Sequence, residues 1–251
     1  MSNTEAWNNM TSHKGKKPFY FKQFTIHQDK CTMKIGTDGV LLGAWADTDG
    51  AQRILDIGTG TGVIAVMMAQ RAPEAEVFGV EINQEAFEQA RENALACPWP
   101  ERLFILHAPI QQFSREHQGQ FDLILSNPPF FSGGTFSNSQ DRNDVRHTAK
   151  LSHSDLLSAV RRLLSPHGRF CVILPLIEGL RFQELAQSYH LYCSRLTEVR
   201  SKAGKPVERV LLQLECHPKT TRKDSLIIQK EGQNEWTEAY IALTQAFYLN
   251  M

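Results

Sequence analysis

Short apolar runs alternate with amphipathic stretches along the chain from residue 53 onward. Arg53-Ile54-Leu55-Asp56-Ile57 predicts a strand, and it ends in the glycine turn Gly58-Thr59-Gly60-Thr61-Gly62. Val63 to Ala69 has helix character and stops before Pro73. Glu76-Val77-Phe78-Gly79-Val80 predicts a second strand followed by Glu81, and Asn83 is placed to cap a helix from Gln84 to roughly Leu95. Leu103 to Leu106 and Phe121 to Ser126 predict the third and fourth strands, the latter stopped by Asn127-Pro128-Pro129. Leu156 to Leu164 reads as a helix, and Pro166-His167-Gly168 as a turn into a strand over Arg169–Leu174. A helix near 178–189 and strands near 191–200 and 208–215 complete the pattern. Strands and helices alternating through short turns imply a doubly wound, parallel α/β sheet. Residues 1–17 lack apolar periodicity and predict a disordered basic arm; 18–251 is expected to form one domain.

Composition narrows the class. The chain has 251 residues, 41% hydrophobic and 22% charged, enough to bury a core without disulfides or metal. No apolar run is long enough for a membrane span, and the N-terminus lacks an apolar signal core, so a cytoplasmic protein is expected. Five scattered cysteines, none in a C-x-x-C pair, read as reduced thiols. Neither they nor His27, His107 and His153 show metal-ligand spacing.

The formal net charge is zero, but it is unevenly spread. Residues 1–35 hold six Lys/Arg against two Asp/Glu, 36–194 hold 12 against 18, and 195–231 hold nine against five. Two basic flanks therefore surround an acidic middle, and local clusters set the field that a phosphate backbone feels.

The glycine turn lies where a strand hands over to a helix, the place where open α/β sheets bind nucleotides. Its G-x-G-x-G spacing is one residue shorter than the dinucleotide fingerprint. Charge separates the two cofactor classes. A pyrophosphate wants uncompensated N–H groups, which a carboxylate at Asp56 opposes. S-adenosylmethionine carries an ammonium and a sulfonium, which Asp56 favours. Glu81, closing the second strand, is placed to accept the ribose hydroxyls. The acid that many such proteins carry after the third strand, against the adenine amine, is replaced by His107-Ala108-Pro109-Ile110.

Ser126-Asn127-Pro128-Pro129-Phe130 ends the fourth strand at the same sheet edge. An aromatic amine is a poor nucleophile because its lone pair is delocalised into the ring. Two acceptors aimed at its protons favour a tetrahedral nitrogen. The Asn127 side-chain oxygen and the Pro128 carbonyl are two such acceptors on a proline-stiffened backbone. Phe130 offers a π-face for a planar group. Adenine N6, cytosine N4 and glutamine N5 all fit this description.

The sequence resembles the class I S-adenosylmethionine-dependent amino-methyltransferases bearing Asn-Pro-Pro-Tyr/Phe. It is more closely similar to the bacterial tRNA1(Val) adenine(37)-N6-methyltransferase family. Beyond the two motifs above, the resemblance rests on Phe21–His27, Met33–Trp45, Arg146-His147-Thr148, Leu151-Ser152-His153 and Phe247-Tyr248-Leu249, and it covers about 19–251. It implies a Rossmann-like fold with an antiparallel C-terminal edge, in which 18–50 covers the cofactor and 51–251 forms the core. It implies transfer of a methyl group to N6 of an adenine beside the anticodon of a valine tRNA. The cofactor set it implies is Lys34, Gly36, Thr37, Asp38, Asp56, Gly58, Thr59, Gly60, Gly62, Glu81, Ile82 and Asn127. The catalytic set is Asn127, Pro128, Pro129 and Phe130, the last keeping the ring of the commoner tyrosine without its hydroxyl.

Lys14, Lys16, Lys17, Lys22, Lys30 and Lys34, with Arg200, Lys202, Lys205 and Arg209, are the expected phosphate contacts. The stretch 131–150, holding Arg142, Arg146 and His147, directly follows the catalytic motif and is expected to touch the tRNA. No obligate protein partner and no membrane are expected. A glutamine-N5 protein methyltransferase and a non-catalytic RNA-binding module are the rival readings. A nicotinamide-dependent oxidoreductase is opposed by Asp56 and by the glycine spacing.

Overall fold

The computed structural model describes residues 17–31, 34–129, 151–232 and 235–251. A hairpin of β1 (Phe19–Tyr20) and β2 (Thr25–Ile26) precedes α1 (Thr37–Trp45). Then follow β3 (Arg53–Ile57), α2 (Val63–Arg71), β4 (Glu76–Glu81), α3 (Gln84–Ala96), β5 (Leu103–His107), α4 (Ile110–Glu116) and β6 (Phe121–Ser126). The C-terminal half contains α5 (His153–Leu163), β7 (Leu164–Pro175), α6 (Leu176–Gln187), β8 (Tyr192–Lys202), β9 (Arg209–Glu215), β10 (Arg222–Gln229) and α7 (Glu238–Thr244).

Strands β3 to β10 form one sheet in the order β10-β8-β9-β7-β6-β3-β4-β5. Strands β3, β4, β5, β6 and β7 run parallel, as their near-continuous apolar sequences require for a sheet covered on both faces. The antiparallel element is β9, inserted between β7 and β8, whereas the edge strand β10 pairs parallel with β8. Side-chain alternation divides the core. Ile54 joins α1, α2 and the N-terminal segment on one face; Leu55 and Ile57 join α4, α5 and α6 on the other. Asp56, two residues from Ile54, therefore points to the α1/α2 face.

Six elements lie outside the sequence pattern: the hairpin strands β1 and β2, and α1, α4, β10 and α7. Helix α1 is interrupted by Gly39 and Gly43 and buried on nearly all sides, so it lacks an amphipathic stripe. An added Cβ at Gly43 would come within 2.8 Å of the Met67 sulfur, which is why α1 and α2 pack so closely. The turn expected at Pro166-His167-Gly168 is instead an irregularity inside β7, whose register against β6 passes from Phe121↔Leu164 to Leu123↔Arg169. Asn83 caps α3 as expected, accepting from the Ala86 amide at 2.9 Å. Among the described residues no helix is long and apolar enough to cross a membrane.

Candidate active site

Three parallel strands end together. Ile57 lies opposite Val80 on β4 and Ser126 on β6, so Gly58, Glu81 and Asn127 emerge side by side at the carboxyl edge. The buried Ser126 hydroxyl donates to the Ile57 carbonyl at 2.9 Å and ties the end of β6 to the start of the glycine turn. This is where the strand order reverses direction from β3, the crevice in which open α/β sheets hold ligands.

The turn adopts left-handed backbone at Gly58, Gly60 and Gly62, with φ of 71°, 57° and 81°. At Gly58 a Cβ would meet nothing within 4 Å, leaving an open cradle; at Gly62 it would lie 3.3 Å from the Ala90 side chain of α3. Gly58 and Thr59 amides donate to the Val80 carbonyl, and the Gly60 amide to Glu81 Oε2 at 2.9 Å. Glu81 Oε1 accepts from the Ile82 and Asn83 amides, each at 2.9 Å. Most of the turn's N–H groups are thus spent internally, which suits a cationic ligand better than a pyrophosphate.

Asp56 is fully buried. Its Oδ2 accepts from the Thr59 hydroxyl at 2.6 Å, while Oδ1 is buried with no hydrogen-bond partner among the described residues. Burial pushes the carboxyl up to about 7 and the Glu81 charge adds to the rise; the Thr59 hydroxyl and the Ala65 amide oppose it. A group of this kind fits a cofactor whose positive charge it can meet. In the ligand-free protein the sign is the reverse of a salt-bridged carboxylate. The unfolded chain loses the Asp56 proton near pH 4 and the folded protein only near pH 7, so folding stability falls as pH rises through that window. Asp56→Asn is expected to flatten this segment of the stability profile, measured by denaturant unfolding between about pH 3 and 8, a span that brackets both values.

Polar side chains on α3 hold the N-terminal segment over the turn. Asn93 donates to the His27 and Thr61 carbonyls at 2.8 and 2.9 Å and accepts from the His27 amide at 2.9 Å. Gln89 Oε1 accepts from the Lys30 amide at 3.0 Å, and Gln28 Oε1 from the Ile35 amide at 2.9 Å. Sequence reasoning missed Asn93 and Gln89. Their signal was a polar pair spaced i, i+4 beside Ala90 and Ala94, on a face that should otherwise be apolar.

Helix α1 then brings the remaining expected residues to Asn127. A Cβ at Gly39 would lie 3.8 Å from Asn127 Nδ2. Lys34, Gly36, Thr37 and Asp38 line one cleft of about 1080 Å³ with Asn127 and Pro128. Asp38 is already engaged, accepting from Arg209 Nε at 2.9 Å. Ile82 is exposed beside Glu81, and its carbonyl lies 2.9 Å from His107 Nε2, whose ring stacks on Phe87. Phe130, the stretch 131–150, Lys14 and Lys16 lie outside the described residues.

Several of the expected phosphate-binding cations have protein partners. Lys22 donates to the Gln245 and Met251 carbonyls, Lys30 pairs with Glu92, Arg200 with Glu198, and Lys202 reaches the Glu231 carbonyl. Among the described residues no cluster of His, Cys, Asp and Glu could hold a metal ion.

Comparison with known proteins places the chain in a family. Residues 33–174 match the family model described as the methyltransferase small domain. A tRNA1(Val) (adenine(37)-N6)-methyltransferase of Mannheimia succiniciproducens is 43% identical over 98% of this chain and 99% of its own. The protein of the same description from Escherichia coli O157:H7 is 42% identical over 96% of this chain and 98% of its own. The crystal structure of a predicted O-methyltransferase from Agrobacterium tumefaciens superposes with a TM-score of 0.67 at 20% identity. It covers 84% of this chain and 96% of that one, a likeness of fold alone.

Proposed function

The chain belongs to the tRNA1(Val) (adenine(37)-N6)-methyltransferase family, and on that premise we propose that it methylates adenine 37 of that tRNA at the cleft beside Asn127. The observation that carries the proposal is the juxtaposition of Asn127 with the glycine turn, secured by the Ser126–Ile57 bond. The cofactor is S-adenosylmethionine, which supplies an electrophilic methyl group on a sulfonium centre.

In this reading the chain's residues bind and orient. Glu81 accepts from the ribose, and Asp56 with the glycine turn receives the cationic portion. Gly36, Thr37 and Asp38 close the cleft from the α1 side. Asn127 Oδ1 and the Pro128 carbonyl accept the two N–H groups of the adenine amine, turning its lone pair toward the methyl carbon. The Pro128-Pro129 backbone keeps that pair of acceptors from relaxing apart. Phe130 stacks on the base after it leaves the anticodon loop. Exchange of the Lys30–Glu92 and Arg200–Glu198 ion pairs for phosphate contacts, together with Lys34, Lys202 and Lys205, supports the tRNA on either side.

Incubation with methyl-labelled cofactor and either tRNA lacking the modification or a protein extract tests the reading, with nucleoside mapping of the product. Label recovered as N6-methyladenosine at position 37 supports it; label recovered only in protein, as N5-methylglutamine, overturns it. Asp56 adds a pH signature. A cation beside its carboxyl favours the ionised form, so binding releases a proton below about pH 7. Affinity for S-adenosylmethionine is therefore expected to climb with pH up to that value and then level off, as calorimetric titration would record.

A further inference from the structure

We propose that the cleft continues beyond Asn127 as a binding site for the nucleotide next to the target adenine, with the exposed ring of Tyr20 as its stacking platform. The proposal rests on the reading above that the substrate is RNA.

At about 1080 Å³ the cleft extends well past the space of one flipped base. From Asn127 and Pro128 it runs past Gly36 and Asp38 to β1, the end of β10, and the residues that follow α7. The far portion has aromatic walls.

Tyr20 is the ring there that the fold has not used. Strand alternation sends Phe19 and Phe21 inward, where their centroids lie 4.7 Å apart and each lies 6.1 Å from that of Tyr248. The same alternation turns Tyr20 to the opposite side, 59% exposed, and among the described residues it makes no ring contact. Leu249, 55% exposed, lines the same cleft, so two large apolar side chains stand in water in the cleft that also holds Asn127.

The backbone that carries this ring is anchored. The Phe21 amide bonds the Phe24 carbonyl at 2.9 Å, the Lys22 amide bonds the Phe247 carbonyl at 2.8 Å, and Phe21 bridges to Tyr248. The Lys22 ammonium holds the Gln245 and Met251 carbonyls, joining the hairpin and the C-terminal segment into one wall. A ring carried on an anchored backbone has only its own side-chain torsions to order on stacking, and every base presents a π-face to it. Lys34, lining the same cleft, supplies a cation for the phosphate between the two nucleotides.

The test compares Tyr20→Ala and Tyr20→Phe with the wild-type enzyme, using a full-length tRNA1(Val) transcript. Tyr20→Ala is expected to raise KM for tRNA about 5- to 150-fold, the span that one base–aromatic stack carries, and Tyr20→Phe to stay within about twofold of wild type. Cofactor affinity and thermal midpoint are expected to be unchanged in both. In a second arm, anticodon stem-loops carrying 2-aminopurine beside adenine 37 are titrated with wild-type enzyme, and quenching at one of the two flanking positions is expected. An unchanged KM, a KM rise accompanied by lost cofactor affinity or stability, or the absence of quenching overturns the proposal. Wild-type enzyme that transfers no methyl to the tRNA overturns the RNA reading itself, so the two failures are told apart.

Discussion

Asn127→Ala is expected to lower kcat for methyl transfer by about 10²–10³-fold, the loss that follows removal of one preorganised polar partner from a reacting centre. The local frame survives the change. Ser126 still bonds the Ile57 carbonyl, the prolines still fix the backbone after it, and α1 still packs across Val63 and Ile64. What disappears is one of two acceptors for the amine protons, and with it the push of the lone pair toward the methyl carbon. The Pro128 carbonyl alone cannot hold both N–H groups. Binding of S-adenosylmethionine is expected to weaken by less than about tenfold, because Glu81, Asp56 and the glycine turn are untouched. Single-turnover rates with labelled cofactor, paired with calorimetric titration, separate the two effects. A variant with wild-type kcat would remove Asn127 from the reaction.

Glu81→Gln is expected to act at the other end, weakening cofactor binding about 10²-fold with kcat at saturating cofactor within a few-fold of wild type. The carboxylate has about four lone-pair sites, and the Gly60, Ile82 and Asn83 amides fill three of them. One remains for a ribose hydroxyl. A glutamine amide has an acceptor at only one end, so in either orientation its NH₂ meets at least one backbone N–H. The unmet backbone donor costs about 1–3 kcal/mol in the free and bound protein alike, so affinity loses only the ribose hydrogen bond to a charged acceptor, about 1.5–3 kcal/mol. At about 1.4 kcal/mol per tenfold, roughly 10²-fold is the upper part of that range. The change also removes one of the causes that raise the Asp56 pKa, so the pH window of Asp56 shifts downward. Cofactor affinity changed by less than threefold would take Glu81 out of the binding site.

Much of this site was legible before folding because its signals are local. A strand that ends in three left-handed glycines, a carboxylate closing the next strand, and an Asn-Pro-Pro stop each follow from a few consecutive residues. Asp56 could be assigned to a cationic ligand from charge alone, and the amide accounting around Gly58, Thr59 and Gly60 agrees with that choice. Helix α1 was less legible. Its two glycines and all-round burial erase the periodicity that marks a surface helix, so the segment from Gly36 to Trp45 could be tied to the site by resemblance but not recognised as a helix. Strand β10 was missed because Leu226-Ile227-Ile228 is too short a run to stand out among its polar neighbours.

The net charge looked different once the chain was folded. Split along the sequence, it marks two basic flanks beside an acidic cofactor region. In space, Lys22, Lys30, Arg200, Lys202 and Arg209 each hold a carbonyl or a carboxylate of this same chain, so part of that positive charge is engaged within the fold.

Sequence alone determined the doubly wound sheet, the cofactor class and the stop of β6 at Asn127-Pro128-Pro129, since hydrophobic period, turn chemistry and charge act over a few residues at a time. Tertiary structure decided what lies across from what. It brought Asn127 level with Gly58 through strand register, locked the N-terminal segment onto α3 through Asn93 and Gln89, and joined β1 to the residues after α7 to build the far wall of the cleft. Those contacts join positions dozens to more than two hundred residues apart. No local pattern encodes them, because their energy appears only when the whole sheet has closed the distance.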